Sequence, residues 1–199
     1  MFQSIAQIIE NLDADSIADE RKAVLSPLRT YIQSKRERGE VIQLQFICTH
    51  NSRRSHLGQV WAQTMAAYFQ VQQVYTYSGG TEATAVFSQT LQTLTQQGFD
   101  VMALSNGQNP VHGIRFSDDA MPMVAFSKTF DHPFNPRKGF AAIMTCDSAD
   151  EACPFVPGAD ARFAVKYRDP KVSDQTPTMV QTYHERSLEI AREMKFVFE

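Results

Sequence analysis

One unit of the sequence constrains the fold more than any other: an apolar run, a polar loop and an amphipathic run follow one another between residues 41 and 69. Residues 41–47 alternate apolar and polar side chains as a strand does, and from residue 55 the apolar side chains recur at helical spacing. A tight loop from a strand into a helix offers unpaired backbone amides and a helix dipole to an anion. The unit therefore predicts an oxyanion pocket.

The loop, residues 48–55, has the sequence Cys-Thr-His-Asn-Ser-Arg-Arg-Ser. Cys48 is the candidate nucleophile, because a helix N-terminus and a guanidinium lower a thiol pKa from about 8.5. Arg54 suits two oxygens of a tetrahedral anion, Ser55 can hydrogen-bond the thiolate, and Asn51 tolerates left-handed backbone angles. The candidate oxyanion-binding residues are Cys48, Thr49, His50, Asn51, Ser52, Arg53 and Arg54. The alternative is a buried structural cysteine beside a surface arginine.

Size and charge bound the remaining possibilities. A chain of 199 residues predicts one domain, with or without an appendage. A formal net charge of −3 does not indicate a general attraction to nucleic acids or membranes. The sequence shows neither an apolar stretch of transmembrane length nor the apolar core of a signal peptide. Three cysteines favour the reducing cytoplasm over a secreted disulfide framework.

The rest of the chain alternates predicted helices and strands. Helices are expected in residues 1–40, with a start at Ser26-Pro27, and over residues 84–97 (closed by Gly98) and 178–198. A strand is expected at residues 74–77, with a turn after it at residues 78–82. Residues 111–116 and 121–126 are expected to form a hairpin, and residues 140–144 a buried strand. This alternation indicates a parallel sheet with helices on both faces, which binds ligands at the carboxyl ends of its strands.

Two further motifs follow. Cys146 comes just after the strand at 140–144, so it is expected at the same sheet edge as Cys48. A short helix or loop could bring Cys153 near it, as disulfide exchange requires Cα atoms within about 7 Å. Two unrelated thiols remain an alternative, as does a zinc site of the three cysteines with His50 or His56, although zinc spacings are tighter and paired. Asp169, before Pro170, is a candidate general acid, although Asp-Pro is also a common turn.

Together these motifs resemble the low-molecular-weight protein tyrosine phosphatase family, and more closely its arsenate reductase branch. The matches are Cys48 with Arg54-Ser55, then Tyr77-Ser78-Gly79-Gly80-Thr81-Glu82, then Cys146 with Cys153-Pro154, and finally Asp169-Pro170. The first and last belong to the whole family. Two later cysteines seven positions apart and followed by proline are the mark of reductases coupled to thioredoxin.

The resemblance implies a three-layer α/β fold with a central, mostly parallel four-stranded sheet over residues 41–199. To this the chain adds an N-terminal helical extension, residues 1–40, which could form a homodimer, and an inserted hairpin at about residues 100–133. The implied catalytic residues are Cys48, Arg54, Ser55, Asp169, Cys146 and Cys153. No metal or other cofactor is expected.

The implied reaction is arsenate reduction by a relay of three cysteines. Cys48 attacks arsenate while Asp169 assists the departure of an oxygen. Cys146 then attacks Cys48 and releases arsenite, and Cys153 attacks Cys146 to give a disulfide that thioredoxin reduces. An alternative is a phosphatase acting on a phosphoprotein or small phosphate ester through a phosphocysteine. A third is a non-catalytic module that binds anions or senses redox state.

Three positions depart from the family pattern. His50 stands where the family usually has glycine, and Arg53 stands where many phosphatases carry a second cysteine. Gln59 replaces a glutamate that helps reductases of this branch to bind potassium, so no potassium site is expected. The nearby residues His56, Trp61 and Glu82 are interpreted as packing or framework residues.

Overall fold

The computed structural model describes residues 1–153 and 155–199. The helices are α1 (Gln3–Asn11), α2 (Asp19–Glu37), α3 (Arg54–Tyr68), α4 (Ser88–Gln96), α5 (Asp147–Ala152) and α6 (Met179–Phe198). The strands are β1 (Ile42–Cys48), β2 (Val74–Gly80), β3 (Asp100–Ala103), β4 (His112–Arg115), β5 (Met123–Ala125), β6 (Phe140–Met144) and β7 (Ala159–Ala164). A 3₁₀-helix spans Pro170–Ser173. Within these residues no helix has both the length and the apolar character needed to cross a bilayer.

A four-stranded sheet with the order β2-β1-β6-β7 forms the centre, and all its neighbouring strands are parallel. This confirms the three-layer α/β fold expected from the sequence. The chain leaves β1 for β2 on one side and returns to β6 on the other, so the strand order reverses between β1 and β6. Ligands bind in the crevice at such a reversal. Cys48 ends β1 there, and Cys146 follows β6 at the same edge.

The two faces of the sheet bury different cores. Ile42, Leu44 and Phe46, at alternate positions of β1, belong to the larger core, which is formed with α1, α2, α3 and α6. Ile47 points to the opposite face, which packs under α5 and contains all three cysteines of the chain. The N-terminal helices therefore contribute to the main core. The division into residues 1–40 and 41–199 stays a prediction.

The insertion contains a second, antiparallel sheet with the order β3-β4-β5. The predicted hairpin is confirmed as β4 and β5, whereas the sequence did not predict β3. The segment after β5 returns to the central sheet, where Thr129 forms an isolated parallel bridge with Gly80. The insertion is thereby attached to the end of β2, beside the loop that follows β1.

Three predicted boundaries were wrong. Helix α2 begins at Asp19, not at Ser26-Pro27, and contains Pro27 in its interior. A proline removes one helical hydrogen bond, but Pro27 and Ala23, four residues earlier, are both solvent-exposed, so the freed carbonyl can bond water. Strand β2 continues to Gly80, through three of the five residues of the expected turn, because it pairs with β1 up to Cys48. Helix α4 begins four residues later than expected, for a reason that lies in the site.

Candidate active site

The loop between β1 and α3 turns its carbonyl groups away from the space above Cys48. Five consecutive carbonyl oxygens accept hydrogen bonds from groups outside the loop. The donors are Thr81 N to Cys48 O at 3.1 Å, Glu82 N to Thr49 O at 2.8 Å, Ser127 Oγ to His50 O at 2.8 Å, His56 Nε2 to Asn51 O at 2.9 Å and Phe87 N to Ser52 O at 3.0 Å. The bond from Phe87 explains the late start of α4, because the residues before it extend along the loop instead of coiling.

The loop amides are left free by this arrangement. Among residues 1–153 and 155–199, no backbone amide from His50 to Arg54 donates a hydrogen bond to another protein group. Helix α3 begins at Arg54, so its N-terminal dipole adds to the same positive region. Unpaired amides at a helix N-terminus form an anion site. The predicted oxyanion-binding loop, residues 48–54, therefore has the backbone geometry that such a ligand needs.

Cys48 lies at the base of this loop, nearly buried, with its Sγ 3.1 Å from Ser55 Oγ. Asn51 Nδ2 donates to Ser55 Oγ at 2.8 Å, so the serine hydroxyl keeps its own proton for the sulfur. Asn51 takes the one positive φ of the loop, +45°, as its sequence preference predicted. His50, which replaces the family glycine, has no positive φ, and its ring lies 3.6 Å from Glu82 instead. The histidine is therefore accommodated without backbone strain.

Arg54 and Asp169 close the pocket. Arg54 Nη2 donates to Asp169 Oδ2 at 2.5 Å, and Nη1 donates to the carbonyl of Tyr167 at 3.0 Å. Asp169 also accepts from the amide of Lys171, which holds the carboxylate at the start of the 3₁₀-helix. The cavity between Cys48, Arg54 and Asp169 has a volume of about 10 Å³, comparable to one water molecule. A tetrahedral oxyanion is larger than this cavity.

Arg53 does not point into the anion site. Its guanidinium donates to Asp174 at 2.5 Å and to the hydroxyl of Tyr183, and it lies 4.2 Å from the ring centre of Phe87. These contacts tie the loop to α6 and to the segment before α4. Of the two consecutive arginines, Arg54 pairs with Asp169 beside Cys48, whereas the guanidinium of Arg53 is turned toward Tyr183 of α6.

Cys146 and Cys153 flank α5 beside the loop. Cys146 Sγ lies 3.5 Å from Thr49 Oγ1, and Thr49 is the residue after Cys48. The same sulfur accepts from Ala149 N at 3.4 Å as the N-cap of α5. All three thiols are free and buried in one cluster. Burial raises the pKa of the Cys153 thiol, and the nearby charge of Arg162 partly offsets this shift.

Pro154, the last residue of the matched cysteine motif, lies outside the described residues. In the part of the chain that is described, no three His, Cys, Asp or Glu side chains form a group that could hold a metal ion.

Sequence reasoning missed the residues that support the loop from outside. Ser127, in the insertion, accepts from Thr84 N at 2.7 Å and donates to His50 O. Gly80 lies so close to the loop that a Cβ there would come within 2.6 Å of Thr49 O and 2.7 Å of Asn51 N. The Gly79-Gly80 pair in the matched motif was the only sequence signal for this close approach.

Comparison with solved structures was decisive for the fold. The structure is similar to a low-molecular-weight phosphotyrosine phosphatase from Vibrio cholerae O395, with a TM-score of 0.52 and 12% identity over 78% of this chain and 93% of the other. It is also similar to the low-molecular-weight protein tyrosine phosphatase of T. tengcongensis, with a TM-score of 0.51 and 16% identity over 77% and 95% of the two chains. This chain has the fold of the low-molecular-weight phosphotyrosine phosphatases.

At 12% and 16% identity these two similarities show the fold and not the reaction. An arsenate reductase from Archaeoglobus fulgidus aligns with a TM-score of 0.48 and 17% identity, over 78% of this chain and 98% of the other. The sequence matches no protein-family model and no curated protein.

Proposed function

We propose that this protein is an arsenate reductase in which Cys48, Cys146 and Cys153 form a disulfide relay. The observation that carries the proposal is the position of Cys146, whose sulfur contacts Thr49, the residue next to the nucleophile. The proposal is also supported by the burial of all three cysteines of the chain in one cluster beside the anion loop. A phosphatase needs only the first of these thiols, whereas a reductase needs all three.

The first step is the attack of the Cys48 thiolate on the arsenic atom of arsenate. An S–As bond forms, and one arsenate oxygen leaves as water after taking up protons, with Asp169 as the proton donor. The amides of the loop and the guanidinium of Arg54 stabilise the charge on the remaining oxygens. Arsenate entry separates Arg54 from Asp169, so substrate binding also frees the carboxyl group for proton transfer.

The second step transfers two electrons to arsenic. The Cys146 thiolate attacks the Cys48 sulfur, the S–As bond breaks, and its electron pair stays on arsenic, which is reduced from As(V) to As(III). Arsenite leaves and a Cys48–Cys146 disulfide remains. The amide of Ala149 donates to the Cys146 sulfur at 3.4 Å and holds it beside Thr49, next to the sulfur that it attacks.

The third step requires α5 to unwind. Cys153 attacks Cys146, which releases the Cys48 thiolate and forms a Cys146–Cys153 disulfide. A helix rises about 1.5 Å per residue, so seven positions separate the two Cα atoms by about 10 Å, more than the roughly 7 Å that a disulfide spans. Arg162 holds the helix by donating to the carbonyls of Asp150, at 2.6 Å, and Cys153, at 3.0 Å. Unwinding must break these bonds, and it brings the new disulfide to thioredoxin.

The test follows NADPH oxidation by the protein with arsenate, thioredoxin and thioredoxin reductase. We expect arsenate-dependent turnover in the wild type and none in Cys48→Ser or Cys146→Ser. Cys153→Ser is the matched control, because it should release one arsenite per chain and then stop as a Cys48–Cys146 disulfide. Non-reducing peptide mass mapping identifies that bond. Sustained turnover in Cys146→Ser, or wild type without arsenate-dependent turnover, would refute the relay.

Hydrolysis of phosphate monoesters is the second candidate function. The observation that favours it is the Arg54–Asp169 pair beside Cys48, which supplies an anion clamp and an acid without any need for the later cysteines. The two phosphatases aligned above a TM-score of 0.5 have the same fold. Hydrolysis of an aryl phosphate should then disappear in Cys48→Ser and persist in the Cys146→Ser/Cys153→Ser double variant. Arsenate turnover with no aryl phosphate hydrolysis would exclude this candidate.

A further inference from the structure

A lysine from the insertion is buried directly behind the anion loop. Lys128 is 2% exposed, and its ammonium nitrogen lies 4.4 Å from the ring centre of Phe126 and 5.4 Å from that of Phe134. It donates to Ser78 Oγ at 3.4 Å and to the carbonyl of Phe126 at 3.2 Å. No salt bridge of the described residues includes it, so its charge is balanced only by neutral dipoles and aromatic faces.

An ammonium group can only donate hydrogen bonds, and this fixes the direction of its neighbours. Because Ser78 Oγ accepts from Lys128, the serine hydroxyl is free to donate to His56 Nδ1, 3.2 Å away. The other ring nitrogen, Nε2, lies 2.9 Å from the carbonyl of Asn51 and must carry the proton. Burial and the charge of Lys128 lower the pKa of His56 to about 3, so the ring is neutral.

The backbone amide of Lys128 also contacts Asn51, at the side chain of that asparagine. Lys128 N donates to Asn51 Oδ1 at 2.9 Å, which orients the amide so that its Nδ2 donates to Ser55 Oγ. The hydroxyl of Ser55 then donates to Cys48 Sγ. These contacts connect the buried ammonium to the backbone carbonyl of Asn51, and the side chain of the same residue contacts Ser55 beside the nucleophilic sulfur. Once Cys48 is a thiolate it can only accept, so Ser55 must donate to it.

We propose that Lys128 is a positioning residue whose buried ammonium aligns the chain through Ser78, His56 and Asn51, so that Ser55 stabilises the Cys48 thiolate. The titratable groups that act on His56 are Lys128 and His112 on β4, and Arg54, the other buried cation beside Cys48, pairs with Asp169 on the opposite side of the loop. The inference rests on Cys48 as the nucleophile of the proposed function, and it holds for reductase and phosphatase chemistry alike.

A neutral lysine would weaken the alignment. Its nitrogen could then accept from Ser78, which would draw the serine proton away from His56 and leave the imidazole without a donor. Burial lowers the pKa of Lys128 to about 7, so the loss of its proton is accessible near neutral pH. A small change in the surroundings of Lys128 therefore changes its protonation state, and with it the hydrogen bonds that support the loop.

The test is the pH dependence of Cys48 alkylation by iodoacetamide, in the Cys146→Ser/Cys153→Ser background so that one thiol reacts. Lys128→Met keeps the length of the side chain and removes the charge. We expect the midpoint of the pH–rate curve to rise by about 1 pH unit, since the thiolate loses an aligned donor and a nearby positive charge. Lys138→Met is the matched control, because Lys138 is exposed, and its midpoint should equal that of the parent.

A second variant distinguishes the effect of the hydrogen bonds through Ser78 from the effect of the Lys128 charge alone. Ser78→Ala breaks the chain and leaves the ammonium in place, so it should raise the midpoint as Lys128→Met does. A parent-like midpoint in either variant would overturn the proposal, with near-UV circular dichroism verifying that each variant is folded. If Cys48 of the parent itself shows the midpoint of an ordinary thiol, the proposed function fails, which distinguishes that failure from the failure of the Lys128 proposal.

Discussion

Replacing Lys128 with methionine should change how the stability of the protein depends on pH. Burial lowers the pKa of the lysine from 10.5 to about 7 in the folded state. Between these two values the unfolded chain binds more protons than the folded one, so stability rises with pH. With these two pKa values, the contribution of Lys128 to the free energy of unfolding increases by about 2 kcal/mol from pH 7 to pH 9. Lys128→Met lacks this increase.

The assay is urea unfolding of wild type and Lys128→Met at pH 7, 8 and 9 under reducing conditions, followed by circular dichroism. Both proteins carry Cys48→Ser, because Lys128→Met is expected to affect the Cys48 thiol, and their other titratable groups are the same, so the difference between the two curves isolates Lys128. We expect the variant to be the more stable protein at pH 7 and its advantage to shrink by about 2 kcal/mol at pH 9. Lys138→Met should run parallel to wild type. Parallel curves for Lys128→Met would refute the inference that a desolvated ammonium lies behind the loop.

Three further outcomes are expected. Burial and the charge of Lys128 lower the pKa of His56 to about 3, so between pH 7 and pH 5 only the unfolded chain takes up a proton at this residue. Wild type should therefore lose about 2 kcal/mol more stability than His56→Gln between these two pH values. Equal losses of the two proteins in urea titrations would contradict this. Gly80→Ala should weaken phosphate binding by about tenfold or more, because the new Cβ would lie 2.4 Å from Glu82 O and would displace the loop. Titration calorimetry measures the affinity, and an unchanged value would contradict this prediction. Arg21→Met should cost about 3–5 kcal/mol by leaving the buried Glu193 unpaired, and Arg21→Met/Glu193→Met should recover most of that loss in the same urea assay.

The loop and the helix behind it were predictable because their signals are local. Apolar alternation, helical spacing and the backbone preference of Asn51 all act within a few residues of one another. The position of Cys146 was also predictable, since the carboxyl ends of parallel strands meet at one edge of the sheet.

What could not be predicted depends on contacts between distant segments. The start of α4 is delayed because the amides of Thr84 and Phe87 bond to Ser127 and Ser52, which hold residues 84–87 along the loop, with Phe87 in an extended conformation. Strand β3 is four residues long and largely exposed, so it leaves no apolar pattern. Nothing in the residues around Lys128 indicates burial, because a lysine is normally exposed and only the docked insertion encloses it.

The outward-facing carbonyls of the loop have a consequence for how the protein acquires its function. Four of the five donors lie between residues 81 and 127, in the segment between β2 and α4 and in the insertion, and the fifth is His56 of α3. A peptide comprising only residues 41–69 contains the cysteine, the arginine, the helix and His56, yet it lacks the other four donors that turn the carbonyls outward. Anion affinity therefore arises only once the whole chain has assembled, and bound phosphate should protect segments far from Cys48 against proteolysis.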